Sequence, residues 1–263
     1  MREREGERGI VSDKSKEPGA LLPQTWQKRA LHRYYHSRPD WKTGTERFRE
    51  LLGSHLTEGS PILEIGAGPS NPTTRFLAGI GEVTGVDLDP EVESNDACAR
   101  AWVYDGSHFP AEDASFGAIV SNYVLEHVEH PADLMAECAR VLRPGGVFVF
   151  RTPNLWHYVS LIARLTPHAF HERVALRAQE ASEEAHDPYP TFHRMNTRGD
   201  CRRLLEGAGF EGVLLECIEA EPAYGLFSRL AFYPMMVWER VLNSTDRLEG
   251  LRGNLLGVAR KPG

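Results

Sequence analysis

The sequence lacks the features that build disulfide frameworks, zinc sites and membrane spans. Its four cysteines, Cys98, Cys138, Cys201 and Cys217, are widely spaced, and none belongs to a Cys-x-x-Cys pair. We therefore expect reduced, mostly buried thiols, with no metal site and no redox motif. The longest apolar stretch, residues 223–238, is interrupted by serine, arginine and proline and is too short to cross a bilayer, so we predict no membrane span.

The chain also has little positive charge. It contains 30 lysines and arginines against 37 aspartates and glutamates, which gives a net charge of −7 at pH 7. This balance argues against a general affinity for nucleic-acid phosphates, so we predict no nucleic-acid partner. Residues 1–20 are polar and lack the apolar core that a signal peptide needs. We expect a disordered tail there and a cytoplasmic location.

Short apolar runs alternate with helical segments along most of the chain. Strands are predicted at residues 61–65, 82–86, 101–104, 116–121, 147–151, 212–218 and 254–260. The alternation predicts an α/β fold: a Rossmann-like, doubly wound, mostly parallel seven-stranded sheet with helices on both faces. We expect an N-terminal helical cap at residues 21–58, followed by this domain at residues 59–263. A helical lid insertion is expected after the fifth strand, at about residues 155–196.

The end of the first predicted strand carries two glycines, Gly66 and Gly68. Glycines at this spacing permit a tight turn and let a ligand approach the backbone closely. A dinucleotide fingerprint would have a third glycine where this chain has Asn71, which counts against NAD or FAD. Asp87 falls at the end of the second strand, where an acidic side chain can accept from both hydroxyls of a ribose. The alternative is that Asp87 only caps the following helix.

Several further motifs follow in a fixed order. They are Leu63-Glu64-Ile65-Gly66-Ala67-Gly68, Gly85-Val86-Asp87, Tyr104-Asp105-Gly106, Ser115-Phe116, Val124-Leu125-Glu126-His127-Val128 and Arg140-Val141-Leu142-Arg143-Pro144-Gly145-Gly146. Together they resemble the class I S-adenosylmethionine-dependent methyltransferases, in particular the broad group that includes the ubiquinone-biosynthesis methyltransferases. One departure is Gly117, where family members usually carry an acidic residue. We expect a local structural change there and no loss of cofactor binding.

The resemblance implies that the cofactor is S-adenosyl-L-methionine. It also implies a set of cofactor-binding residues after the first four strands: Glu64, Gly66, Ala67, Gly68, Asp87, Leu88, Asp105, Gly106 and Asn122. In that assignment Asp87 binds the ribose, Leu88 packs on the adenine and Asp105 accepts from the adenine amino group. Glu64, the glycine loop and the backbone of Asn122 would face the methionine part.

Methyl transfer from a sulfonium depends mainly on alignment, and a base matters only when the nucleophile is protonated. Three histidines are candidates for that base: His193, in a polar and aromatic cluster at residues 192–197, His157, just after the fifth strand, and His127. For His193 the alternative is capping or packing against the next helix, and for His127 it is lining the pocket. Glu183, Glu184, His186 and Asp187 could be drawn as a metal site, but a solvated acidic loop is the preferred interpretation.

The favoured function is methylation of a small-molecule acceptor, at a hydroxyl oxygen of a secondary metabolite, sugar or lipid-like compound. The alternatives are an N- or C-methyltransferase of the same fold, an NAD(P)-dependent oxidoreductase and a non-catalytic cofactor-binding protein. The apolar segment 223–238 could form a lid, a homodimer contact or a membrane-surface patch. Packing against the sheet is the first expectation for it.

Overall fold

The computed structural model describes residues 25–165 and 189–263. The chain divides into two compact units, residues 1–39 and residues 40–263. The first contains helix α1, Trp26–Leu31, which continues into a π-helical turn at His32–His36. The predicted tail, the middle of the predicted lid and the acidic residues of the alternative metal site lie outside the described residues.

The second unit is built on a sheet that has seven strands within the described residues, in the order β3-β2-β1-β4-β5-β7-β6. The strands are β1 Ile62–Ile65, β2 Val83–Asp87, β3 Arg100–Val103, β4 Phe116–Asn122, β5 Leu142–Pro153, β6 Glu211–Ile218 and β7 Asn254–Arg260. Strands β1 to β5 pair in parallel, and β7 runs antiparallel between β5 and β6. The predicted mostly parallel, seven-stranded sheet is therefore confirmed.

One local difference from the predicted strands lies at the start of β5, which pairs with β4. Leu142 already pairs with Phe116, and the register then shifts so that Val147 pairs with Ala118. Residues 143–146 thus form an irregularity within a β5 that begins before the predicted residue 147. Gly117 lies at this shift, and a Cβ atom there would be 1.9 Å from Ser60 Oγ. A side chain at position 117 would therefore require Ser60 to move.

Helices cover both faces of the sheet, as predicted. They are α2 Gly44–His55, α3 Pro72–Ala78, α4 Pro131–Val141, α5 Tyr158–Leu165, α6 Arg198–Gly207 and α7 Arg229–Asn243, with short 3₁₀ helices at Pro90–Ser94, Leu125–His127, Ala223–Phe227 and Asp246–Leu251. On one face Phe48 and Leu52 of α2 and Leu77 of α3 belong to a buried apolar core. On the other face α4 and α6 contribute Met135 and Leu205 to a second core.

The apolar segment 223–238 is divided between two helices, because Ser228 ends the 3₁₀ helix at Ala223–Phe227 and caps α7 by accepting from Leu230 N. α7 packs mainly on its two flanking 3₁₀ helices. Phe232 and Leu242 of α7 are buried, and packing of this segment against the sheet stays a prediction. Its outward face leaves Leu230 89% exposed. Among the described helices, none combines the length and apolar character needed to cross a membrane.

Candidate functional site

The predicted site residues follow strands that end at one edge of the sheet. Ile65 at the end of β1 pairs with Val86 of β2 on one side and with Ser121 of β4 on the other. The strand order reverses between β1 and β4, and open α/β sheets bind ligands outside the carboxyl ends of the strands at such a point. The structure thus brings the glycine loop, Asp87 and Asn122 together at this edge.

The backbone of the glycine loop adopts positive φ angles, which residues with a side chain rarely adopt. Gly66 has φ +72° and Gly68 has φ +49°. A Cβ atom on Gly66 would also lie 2.2 Å from Val124 Cγ2, so only glycine fits there. Asn71 replaces the third glycine of a dinucleotide fingerprint and has a clear local role. Its Oδ1 accepts from the amides of Thr73 and Thr74 at the start of α3, while its Nδ2 donates to the Ala67 carbonyl oxygen.

Asp87 is held by backbone donors at the mouth of this loop. Its Oδ2 accepts from Gly68 N at 2.9 Å and its Oδ1 accepts from Asp89 N at 3.0 Å. The next side chain, Leu88, is 50% exposed, and a Cβ atom on Gly106 would lie 3.4 Å from Leu88 Cδ2. The Asp87 carboxylate, which keeps free lone pairs, and the exposed Leu88 side chain are thus neighbours. A ribose needs such a hydrogen-bond acceptor, and a flat ring next to it needs such an apolar surface.

Asp105 directly precedes Gly106 and is exposed. Its Oδ1 accepts from the amides of Ser107 at 2.8 Å and His108 at 3.0 Å. These backbone N–H groups hold the pKa of Asp105 below its usual range, because they stabilise the carboxylate. The side chain is therefore an acceptor at neutral pH and can receive an amino group.

Glu64 supplies a direct test of whether the residues fit the implied cofactor. Its carboxyl group is 2% exposed, and burial raises its pKa to about 8. Its Oε2 is buried and has no hydrogen-bond partner among the described residues. An unsatisfied buried oxygen is costly, and a cationic ligand at this strand end would both pair with it and favour its charged form. The residues present thus fit a ligand with an ammonium group, a ribose and a purine, such as S-adenosylmethionine.

Sequence reasoning missed a buried cluster where β4 and β5 end. Arg151 is 1% exposed, and its Nε donates to Asn122 Oδ1 at 2.7 Å. Its guanidinium lies 5.2 Å from the ring centroid of Phe48 and 4.3 Å from that of Tyr123. Tyr123 has φ +57°, rare for a non-glycine residue, and its hydroxyl donates to Asn254 Oδ1 at 2.8 Å. An arginine at the end of an otherwise apolar strand was the only sequence signal.

The three candidate histidines occupy different places. His157 is buried, and its Nε2 lies 3.3 Å from Glu219 Oε1 beyond the ends of β5 and β6. His127 has its Nδ1 3.0 Å from the Pro190 carbonyl oxygen. His193 is half-buried with φ +51°, and its amide donates to the Glu126 carbonyl oxygen at 3.1 Å. His127 and His193 are thus adjacent beyond β4, while His157 is separate from them.

Metal-ligating side chains do not gather in the described parts of the chain. Within residues 25–165 and 189–263, no group of three or more His, Cys, Asp or Glu side chains is placed to hold a metal ion. The four cysteines are free thiols, with Cys138, Cys201 and Cys217 buried.

Comparison with known proteins identifies the domain that carries this site. Residues 63–150 match the family described as "Methyltransferase domain". The chain is 34% identical over 164 residues to a probable S-adenosylmethionine-dependent methyltransferase of Mycolicibacterium smegmatis, covering 60% of this chain and 54% of the relative. It is 30% identical over 113 residues to a ubiquinone biosynthesis O-methyltransferase of Maricaulis maris, covering 40% of this chain and 44% of the relative. The chain therefore spans about half the length of these curated relatives.

The solved structures agree on the fold. A Haemonchus contortus phosphoethanolamine N-methyltransferase, crystallised with phosphomonomethylethanolamine and S-adenosylhomocysteine, superposes with a TM-score of 0.53 at 18% identity, covering 82% of this chain and 52% of that one. At this identity the likeness shows a shared fold. The family match therefore identifies residues 63–150 as a methyltransferase domain, and the solved structure shows that the chain shares its fold with a methyltransferase.

Proposed function

We propose that this protein transfers the methyl group of S-adenosylmethionine to a small-molecule acceptor, at a hydroxyl oxygen. The observation that carries the proposal is the unsatisfied Glu64 oxygen at the same sheet edge as the glycine loop and Asp87. This combination suits one ligand that carries a cationic amino group, a ribose and an adenine.

When bound, S-adenosylmethionine supplies an activated methyl group. We assign Glu64 and the loop Gly66-Ala67-Gly68 to its methionine part, Asp87 to the ribose, and Leu88 with Asp105 and Gly106 to the adenine. Gly68 N and Asp89 N fix the Asp87 carboxylate before any ligand arrives. A site fixed in advance has less ordering entropy to lose on binding. Asn122 is likewise fixed by Thr73 and Arg151, through hydrogen bonds of 3.2 and 2.7 Å.

The acceptor is assigned to a hydroxyl for two reasons. The Maricaulis maris relative is named as an O-methyltransferase, and histidines lie at the carboxyl edge where a proton could be taken up. Of these, His193 is our first candidate for the proton acceptor, and His157 beside Glu219 is the second. His127 is a less suitable base because its Nδ1 contacts the Pro190 carbonyl oxygen. N- and C-methylation remain alternatives on the same fold.

The test uses the full chain and proceeds in two steps. Calorimetry with S-adenosylhomocysteine should show one binding site per chain, while NADH and NADPH should give no binding heat and no absorbance change. Incubation with isotopically labelled S-adenosylmethionine and a small-molecule extract of the source organism should then yield a labelled product by mass spectrometry. Product formed from NAD(P)H instead would overturn the proposal. Cofactor binding without any labelled product would favour the non-catalytic alternative.

A further inference from the structure

Residues 189–193 follow the undescribed part of the predicted lid and contact both sides of the proposed cofactor edge. The Tyr189 hydroxyl donates to Asp89 Oδ2 at 3.3 Å, beyond the end of β2. The next residue, Pro190, offers its carbonyl oxygen to His127 Nδ1 at 3.0 Å, beyond the end of β4. The rings of Tyr189 and His127 also meet edge to face, with centroids 6.3 Å apart.

The strand order of the sheet determines which strand end lies between these two contacts. β1 stands between β2 and β4, so a segment that reaches from Asp89 to His127 must cross the end of β1. Two strand spacings amount to about 10 Å, a distance that a tyrosine side chain and a proline can bridge. The residues at the end of β1 are Gly66 and Gly68, so the crossing passes over the glycine loop.

The crossing is anchored at both ends by groups that are themselves fixed. The Asp89 amide donates to Asp87 Oδ1, so Tyr189 is two hydrogen bonds from the proposed ribose-binding carboxylate. At the other end the Glu126 carbonyl oxygen accepts from the amides of Phe192 at 2.8 Å and His193 at 3.1 Å. A segment held in this way can form a stable surface against a ligand.

We propose that Tyr189 is a further cofactor-binding residue, forming with Pro190 the outer wall of the nucleoside pocket opposite the glycine loop. The inference rests on the proposed function, since it assigns the wall to the same S-adenosylmethionine site. It gives His127 a positioning role, because the imidazole holds Pro190 in place. The wall excludes water from one side of the ligand and must be displaced before the ligand leaves.

The test measures the binding kinetics of S-adenosylhomocysteine to the full chain by stopped-flow fluorescence, together with affinity by calorimetry. Tyr189→Phe removes only the hydroxyl, and dissociation should become about fivefold faster, as expected for losing one half-exposed hydrogen bond to a carboxylate. Tyr189→Ala removes the wall itself and should accelerate dissociation roughly tenfold or more, with affinity falling in parallel. Tyr233→Phe makes the same chemical change on α7 and should leave the association and dissociation rates of S-adenosylhomocysteine unchanged.

A double-variant cycle separates the proposed contact from general damage. Asp89→Ala combined with Tyr189→Phe should dissociate no faster than the more affected single variant, because both substitutions remove the same hydrogen bond. The inference is overturned if S-adenosylhomocysteine binds the parent protein but leaves Tyr189→Ala at the parental rate. It is also overturned if Tyr189→Ala raises the association and dissociation rates equally and leaves the affinity unchanged. Tyr189 would then obstruct the site without binding the ligand. Failure of the parent protein to bind S-adenosylhomocysteine would instead contradict the proposed function.

Discussion

The guanidinium of Arg151 lies 4.3 Å from the ring centroid of Tyr123, where β4 and β5 end side by side. The same guanidinium reaches Thr45 Oγ1 at 3.3 Å in α2, and its Nε donates to Asn122. A buried cation thus joins two parallel strands to a helix that lies far from them in sequence. The Arg151 guanidinium thus contacts both Asn122 and Tyr123, at the end of β4.

Replacing Arg151 by lysine should destabilise the protein. Lysine has no planar group to stack on Tyr123 and Phe48 and cannot reproduce the Nε bond to Asn122, so we expect a loss of about 2–3 kcal/mol in the free energy of unfolding. Urea denaturation of the two proteins would measure it. Arg100→Lys is the control, because Arg100 is exposed and its pair with Glu82 at 3.5 Å should contribute little. Equal losses in the two variants would contradict the structural role of Arg151.

The loop glycine at position 66 should tolerate no side chain. Gly66→Ala places a Cβ against Val124 and strains a positive φ, so we expect a loss of at least about 2 kcal/mol in unfolding free energy. Gly53→Ala, inside α2 with nothing within 4 Å of the new Cβ, should instead stabilise by about 0.5–1 kcal/mol. Thermal denaturation should therefore show melting temperatures that move in opposite directions. A parental melting temperature for Gly66→Ala would show that the loop adapts.

The sequence could predict the strands and the glycine loop because both depend on local signals. Mostly apolar runs such as Ile62–Ile65 are buried on both faces of a parallel sheet, and the loop glycines mark a turn. The roles of Arg151 and Tyr189 could not be predicted in this way. Arg151 depends on α2 packing against β5, and Tyr189 depends on a crossing from β4 to β2 that only the strand order reveals. Local patterns carry no information about such long-range contacts.

Asp87 should be the most sensitive single position for cofactor affinity. Asp87→Ala removes the proposed acceptor for the ribose hydroxyls and also releases the Gly68 amide, so S-adenosylhomocysteine should bind roughly 10–100-fold more weakly. Isothermal calorimetry measures this directly. Asp133→Ala, on the exposed first turn of α4, should bind like the parent protein. An unchanged affinity for Asp87→Ala would remove Asp87 from the ribose site and leave only its loop contacts.

His193 should affect turnover more than cofactor binding. His193→Asn is the suitable variant because asparagine tolerates the positive φ at this position better than alanine does. If the imidazole takes up the proton of the methylated hydroxyl, the rate of labelled methyl transfer should fall roughly 100-fold or more. The affinity for S-adenosylhomocysteine should stay within about twofold of the parental value. His55→Ala, in α2, is the control and should transfer methyl groups at the parental rate. Normal transfer by His193→Asn would move the proton-accepting role to His157 or to solvent.

The buried carboxyl group of Glu64 should make the stability of the ligand-free protein depend on pH. Its pKa rises from 4.5 to about 8 on folding, so the folded state holds the proton more tightly than the unfolded state does. The resulting stabilisation is complete below about pH 4.5 and is lost as the pH rises toward 8. Between these limits the contribution of Glu64 should fall with a slope approaching about 1.4 kcal/mol per pH unit.

Glu64→Gln isolates this contribution from that of other acidic residues. One of these is Glu126, whose pKa is also raised by burial. The glutamine variant keeps the shape of the side chain but cannot ionise, so its unfolding free energy should decline less steeply between pH 5 and pH 8. Urea denaturation across that range gives both curves. If the curves run parallel, Glu64 does not titrate there and is already charged in the folded protein. A cation bound at β1 would then have no proton to displace, and S-adenosylmethionine affinity should not vary with pH through this group.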